Sequence, residues 1–336
     1  MAVTIKDVAE HAGVSVSTVS KVLNNWKTIS QKTKDKVNAS IKALNYTPNS
    51  QAVSFARGNT KNIIYLTSLS KGEAYTNPHM FDIMCGVFSA LAKQGFTMTL
   101  MDIADASHPK ETVSNIIARK SADGIVIHGS VINPEITDLI LKNNFPHIVI
   151  GHPDFDDHLC WIDTNHLLAG QYAAEYIAKK DISPISFIAG KKSDFISHER
   201  ERGFRTVMLK HKKKISPEYI AYTNSTWQEG YSAAMKFMQM NEPPKAIVCE
   251  NNTLAVGCSR ALTELGLSAP DDIVFMTFDV YPYTTIIEPK PIIVDINVHD
   301  MGMQAADMII RKIENPSLII HSYTTLPEIK PCESIT

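Results

Sequence analysis

The amino-acid sequence predicts a small all-α head followed by a large body of two doubly wound parallel α/β units. Three observations predict it. Residues 1–62 carry nine Lys or Arg against three acids, which makes them +6 in a 336-residue chain of net charge −2 and leaves −8 for the remainder. Three short segments of the head have helical apolar spacing, and each follows a Ser or Thr. Beyond Asn62, strand-like and helix-like runs alternate along the chain. A basic head on an acidic body is the asymmetry of a nucleic-acid-binding part joined to something else.

In the head, Thr4 caps a helix over 5–12 whose Ile5, Val8, Ala9 and Ala12 share one face. Asp7 sits in its first turn, where a carboxylate favours the helix dipole. Gly13 stops it, being tolerant of positive φ. Ser15 caps a second helix over 16–23, with Val19, Val22 and Leu23 inward, and Asn24-Asn25 breaks it. Ser30 caps a third that runs through Leu44, with Val37, Ile41 and Leu44 inside and Lys32, Lys34, Lys36 and Lys42 mostly outside. Two short helices joined by a glycine turn and closed by a third make a helix-turn-helix; a generic three-helix bundle is the alternative. The second helix is rich in Ser and Thr and carries Lys21. Such residues pack poorly but suit phosphates and base edges.

The run 4–24, TIKDVAEHAGVSVSTVSKVLN, resembles the opening signature of the lactose/galactose repressor (LacI/GalR) family, as does Leu44-Asn45-Tyr46-Thr47-Pro48-Asn49. The resemblance implies a DNA-binding transcriptional regulator in which Val16, Ser17 and Lys21 read the major groove. Many relatives carry Arg where Lys21 stands, and lysine lacks the bidentate fork of arginine. Between Pro48 and Gly58 lies a weak, short helical pattern. A helix of that length is marginal in water, so the segment is expected to stay largely disordered until something stabilises it. The resemblance implies that it folds on DNA beside its dimer mate, with Phe55 in the place of a leucine that wedges into the minor groove. The alternative is a plain linker anchored by Phe55 on the body. The expected DNA-facing set is Thr4, Ser15, Val16, Ser17, Thr18, Ser20, Lys21, Asn24, Asn49, Ala52 and Phe55.

The body alternates strand and helix: strand 63–66, helix 81–94, strand 97–101, helix 110–119, strand 124–127, helix 135–142 and strand 147–150. A second series follows: helix 170–179, strand 185–188, helix 199–210, strand 220–222, helix 229–240, strand 246–249, helix 254–265 and strand 273–276. Ligands of such sheets sit at strand carboxyl ends, and two units facing each other make a cleft. The apolar run 291–297 and a helix over 299–313 resemble the return crossover of a two-lobed periplasmic-binding-protein-like (type I) effector domain. The expected parts are therefore a head over 1–46, a hinge over 47–61, one lobe from 62–162 with 292–321, and another from 163–291 with 322–336.

By resemblance, effector residues fall at strand ends. Arg200 opens an Arg-x-x-Gly-aromatic motif with Gly203 and Phe204. Its planar fork suits vicinal hydroxyls or a carboxylate. A surface arginine is the alternative, with Arg202 the competitor. Asn251 matches an Asn-Asp pair whose acid is here Asn252, and Asp279 matches an acid after the last strand. Their alternatives are a helix N-cap and a solvated loop acid. Trp227 stands where some relatives stack an aromatic on a sugar, with core packing the alternative. Asn77 sits in an Asn-Pro stretch and Asn165 follows Thr164, where the family pattern has an acid.

The implied function is a repressor of a carbohydrate-utilisation operon, controlled by a sugar-type effector. Its partners would be a pseudo-palindromic double-stranded DNA operator, a second copy of the chain in a homodimer, and, as in some relatives, a phosphocarrier coregulator. A solute-binding receptor without regulatory role is the alternative, and an enzyme a third. No cofactor or metal is expected, because the twelve histidines show no ligand spacing; those at 147, 152 and 158 are expected to be solvated. The five cysteines are scattered, as thiols in a reducing compartment are. With no signal peptide and no apolar run of membrane-spanning length, the expected location is cytoplasmic.

Overall fold

A computed structural model describes residues 3–24, 26–47, 59–70, 78–104, 108–153, 155, 158–280, 283–318 and 322–330. The chain forms two compact units, Met1–Lys61 and Asn62–Thr336.

The first unit contains α1 (Ile5–His11), α2 (Val16–Leu23) and α3 (Gln31–Ala43), which end within one residue of their expected bounds. The Ser15 and Ser30 hydroxyls accept from Thr18 N at 3.2 Å and Thr33 N at 3.3 Å, so each satisfies a backbone donor that the helix start would leave open. At α1 the Asp7 carboxylate accepts from Thr4 N at 2.7 Å and from the Thr4 hydroxyl at 2.8 Å. The bond from the Thr4 backbone, then that from its side chain, holds the Asp7 carboxyl below its ordinary pKa. Val8, Ala9, Ala12, Val19, Val22 and Val37 fill the core. Gly13 takes a φ of +57°, the left-handed conformation that turns α1 into α2.

The second unit carries β1 (Asn62–Thr67), α4 (Pro78–Lys93), β2 (Thr97–Asp102), α5 (Pro109–Arg119), β3 (Gly124–His128), α6 (Pro134–Lys142), β4 (His147–Ile150) and β5 (Trp161–Thr164). Then come α7 (His166–Ala178), β6 (Ile185–Ala189), α8 (Phe195–Lys210), β7 (Ile220–Tyr222), α9 (Trp227–Met238), β8 (Ala246–Cys249), α10 (Asn252–Glu264) and β9 (Val274–Phe278). The chain closes with β10 (Ile292–Asp295), α11 (Val298–Glu314), β11 (Ser322–Thr325) and β12 (Glu328–Lys330).

These strands make two six-stranded sheets of matching order, β2-β1-β3-β4-β5-β11 and β7-β6-β8-β9-β10-β12. All pairings are parallel except β10 with β12. Alternate residues of each strand feed opposite faces, as the pleat requires. Ile63 and Tyr65 join the cluster under α4 and α11, while Ile64 and Leu66 join the other. The chain crosses between sheets after β5, after β10 and after β11. Thus Ile292–Asp295 belongs to the second sheet and Ser322–Thr325 to the first, some residues beyond the expected crossings at 291/292 and 321/322. An apolar run declares a strand but not its partner, so hydrogen-bond register alone assigns these short segments.

Glycines set the helix pairs close. A Cβ at Gly170 of α7 would lie 2.0 Å from the Arg200 carbonyl oxygen, and one at Gly203 of α8 2.0 Å from that of Leu167. Gly230 and Gly257 do the same for α9 and α10, and Gly86 and Gly302 for α4 and α11. His147 is not solvated: it lies buried in β4, where its Nε2 accepts from Cys160 N at 3.0 Å and burial pulls its pKa down to about 4. Among the described residues, no helix is long and apolar enough to cross a membrane.

Candidate functional sites in the head and in the cleft

The head presents one face of α2. Val19 and Val22 are buried, which fixes the helix roll and leaves Val16, Ser17 and Lys21 exposed. Val16 is 41% exposed, high for an apolar residue on a three-helix core. Thr4 and Ser15 are also exposed, and Thr18, Ser20 and Asn24 are half-buried. The Ser15 hydroxyl is committed to the cap and to Ser17 and Thr18 at 2.8 and 2.9 Å. Asn24 ends the helix, its amide donating to Ser20 O at 2.9 Å. Trp26, which periodicity did not single out, is 52% exposed, and the Lys21 ammonium lies 5.7 Å from its ring centroid. The indole thus leans on the cation in the middle of the α2 face. Asn49, Ala52, Phe55 and Asn77 lie outside the described residues.

The body gathers its polar chemistry at the carboxyl ends of the adjacent strands β6, β8 and β9, beside the reversal of strand order between β6 and β8. Helix α8 begins at Phe195, a turn earlier than expected, which places Arg200 in its second turn rather than at its mouth. Arg200 is only 2% exposed. Its Nη1 donates to Glu250 O at 2.6 Å and lies 3.5 Å from Glu250 Oε1, and its Nη2 lies 3.8 Å from Asp279 Oδ2. The guanidinium carbon stands 4.4 Å from the Phe278 ring centroid. Arg202, two residues on, faces outward and pairs with Glu199 at 2.5 Å. Helical geometry alone separates the two candidates.

Glu250 was not anticipated from sequence. It is fully buried, and its Oε2 accepts from Asn251 Nδ2 at 2.9 Å. Burial raises its pKa; the Arg200 charge and the Asn251 bond oppose that, while Asp194 and Asp279 add to it. Asn251 caps α10, its Oδ1 accepting from Leu254 N at 3.0 Å, and its amide also donates to the Ser225 hydroxyl at 3.1 Å. Capping and site duties therefore coincide. Asp279 has a φ of +72° and is 4% exposed. Its carbonyl accepts from Asn252 Nδ2 at 3.4 Å, so Asn252 supports the turn that aims Asp279. From α4 of the other lobe, His79 Nε2 comes within 3.3 Å of Asp279 Oδ2. Arg200 Nε, Asp279 Oδ1 and His79 Nδ1 are buried and have no hydrogen-bond partner.

Asn165 caps α7 by accepting from Leu168 N at 2.9 Å, and lines a cavity of about 240 Å³ with His152, Trp161, Phe195, Glu199 and Thr324. The His152 ring stacks on Phe195 at 4.5 Å and meets Trp161 edge-on at 4.7 Å. Beneath it Asp163 accepts from His152 N, Thr164 N and His166 Nε2 at 2.9, 2.8 and 3.2 Å. Burial works against its charge, yet these bonds, His166 foremost, hold its pKa below the ordinary value. Trp227 opens α9, with its ring 5.6 Å from the Arg260 guanidinium. Among the described residues no group of three or more His, Cys, Asp or Glu could hold a metal ion.

A helix-turn-helix head and a two-lobed body with a polar cleft define a DNA-binding regulator that carries a small-molecule receptor. Residues 4–49 match the bacterial regulatory proteins of the lacI family, and residues 71–326 match the periplasmic binding proteins and sugar binding domain of the LacI family. The chain belongs to the LacI/GalR family. It is 28% identical over 335 residues to the HTH-type transcriptional repressor PurR of Vibrio cholerae serotype O1, covering 97% of this chain and 96% of that one. The PurR of Actinobacillus pleuropneumoniae serotype 3 is 27% identical over 311 residues, covering 93% and 91%. The fold is that of the lac repressor dimer bound to operator and the anti-inducer ONPF (TM-score 0.81, 22% identity, 100% of both chains). A CelR–cellobiose complex shares it at TM-score 0.69 and 21% identity, with 99% of both chains covered. The protein is thus a DNA-binding transcriptional repressor rather than an enzyme or a receptor without regulatory role.

Proposed function

We propose that an effector bound between the lobes, at Arg200, Asn251 and Asp279 with Asn165 at the cleft edge, sets the affinity of the head for its operator. The supporting observation is the set of buried polar atoms without partners on Arg200, Asp279 and His79, at strand carboxyl ends. Unpaired buried polar atoms are costly, so a ligand that satisfies them is stabilised by their relief. A ligand touching His79 and Asp279 together biases the lobe arrangement, and through it the spacing of two heads. The effector is read as a sugar or sugar derivative, and the regulated genes as a carbohydrate operon. A planar nucleobase-type effector is the second reading, favoured by the aromatic wall of His152, Phe195 and Trp161. The test is operator binding by fluorescence anisotropy with and without sugars and nucleobases. Constant affinity across both classes would sink the reading.

On DNA, Thr4, Ser15, Ser17, Thr18, Ser20 and Asn24 contact phosphates, and Val16, Ser17 and Lys21 reach base edges. Asn49, Ala52 and Phe55 serve the minor groove. Lys21→Ala should cost about 1–3 kcal/mol of operator binding, and less on unrelated DNA. Equal loss on both would make Lys21 a mere phosphate contact.

The proposed assembly is a cytoplasmic homodimer on a pseudo-palindrome, with a phosphocarrier as an optional coregulator. Phe81 and Phe88 are each 54% exposed, seven residues apart on one face of α4, and Leu100 is 38% exposed on the edge strand β2. An apolar stripe of this kind suits a second copy. Phe88→Glu should therefore yield monomers in sedimentation velocity at micromolar concentration; an unchanged dimer would move the interface elsewhere.

A further inference from the structure

The cleft wall gathers the carboxyl groups of Glu250 and Asp279 around one buried arginine, with His79 as the other partner of Asp279. Arg200 faces both Glu250 and Asp279, neither closer than 3.5 Å by its side-chain oxygens. Asp194 adds a third carboxylate whose field reaches Glu250. Next to Asp279 a cavity of about 210 Å³ is lined by His79, Asp82, Asp295 and Lys330 among others. Lys330 is spent on Asp295 at 2.5 Å, which leaves Asp82 to that cavity. Both lysines of the neighbouring loop, Lys191 and Lys192, are exposed, and Lys192 lies 5.5 Å over the Tyr222 ring. The Asp279 Oδ1 atom, buried and without a donor, is the second and independent sign of a ligand. The Glu250 carboxylate is held in place for one: a Cβ at Gly190 would stand 3.0 Å from its Oε2, and Asn251 ties the same oxygen to Ser225.

We propose that the effector carries a cationic nitrogen, an ammonium or a charged ring nitrogen, seated against Glu250 and Asp279, and that Glu250 sets this preference. The inference rests on the effector site proposed above and narrows its ligand. An N⁺–H donor satisfies Asp279 Oδ1 and supplies a positive charge; an anion meets two buried carboxylates instead. Burial raises the Glu250 pKa, and a cation arriving beside it opposes that shift and favours the ionised form.

The test is calorimetric titration of the full chain with three scaffolds, each in cationic, neutral and anionic form: glucosamine, glucose and glucose 6-phosphate; 7-methylguanosine, guanosine and guanosine monophosphate; putrescine, butanediol and succinate. In any scaffold that binds, the cation should bind at least tenfold more tightly than the neutral form, and the anion weakest. Glu250→Gln should erase most of that ratio, and Asp194→Asn, which removes an exposed charge, should reduce it without disturbing the core. A neutral or anionic form binding as well as the cation, or a ratio unmoved in Glu250→Gln, overturns the cation preference while the effector site stands. Binding by none of the nine overturns the effector site itself.

Discussion

Arg200→Ala is expected to destabilise the body by about 3 kcal/mol in urea unfolding, the low end for breaking a buried ion pair. The cost has three sources. Glu250 and Asp279, both buried, lose their shared guanidinium. The Glu250 carbonyl loses its 2.6 Å donor, and the Phe278 ring loses the cation above it. The pairing is loose at 3.5 and 3.8 Å, and Glu250 keeps a raised pKa despite it, which is why the low end is chosen. If charge is the cause, Arg200→Met with Glu250→Gln should recover part of the loss, a coupling visible in a double-mutant cycle. Additive losses would instead assign Arg200 to packing. The pH dependence has a definite sign. Because folding raises the Glu250 pKa, its favourable contribution is complete below the ordinary 4.5 and is lost as pH rises through the folded value. Glu250→Gln should therefore gain stability over the natural chain as pH rises from about 4.5 towards neutrality, and a constant gap would refute the shift. Arg200→Lys keeps the charge but not the fork; any compound that shifts the natural chain should cease to shift this variant.

The head was legible because its signals are local. Thr4, Ser15 and Ser30 each precede an apolar period, and Gly13 marks the turn, so the helix ends follow from neighbours in sequence. The alternation of the body was legible for the same reason. Its crossings were not: β5, β10, β11 and β12 are three or four residues long, and their sheet is decided by register with other strands, as where Ser322 of β11 lies opposite Trp161 of β5. In the cleft, Arg200, Asn251 and Asp279 could be placed by motif. Glu250 and His79 could not, because each meets its charged partner, Arg200 for Glu250 and Asp279 for His79, far away in sequence. Asn252 shows the converse. As a departure from the family acid it reads as a lost ligand contact, yet its amide supports the carbonyl of Asp279. Trp26 carried a usable signal, a large aromatic beside a helix break in a basic segment.

Gly203→Ala should cost about 1–3 kcal/mol, the range for overpacking a filled core, and should also loosen the cleft. A single methyl group is enough. A Cβ at 203 would stand 2.0 Å from the Leu167 carbonyl oxygen and 3.1 Å from Gln171 N, which are backbone atoms of α7 and cannot swing aside. Helix α8 must then move away from α7. On the reciprocal side, Gly170 touches the Arg200 carbonyl, so the contact that would open is the one that carries Arg200. Displacing that residue by even part of an ångström lengthens its 2.6 Å bond to Glu250 O and alters its approach to Asp279. Once α8 has shifted for one methyl, the second contact is already relieved, so Gly170→Ala and Gly203→Ala together should cost less than the sum of the two. Two strictly additive losses would mean that each glycine is accommodated locally and that the helix pair does not move as a unit. The Arg-x-x-Gly motif would then be a binding residue followed by an unrelated glycine. Under the coupled outcome it is one device: the glycine sets how deeply the arginine reaches into the cleft.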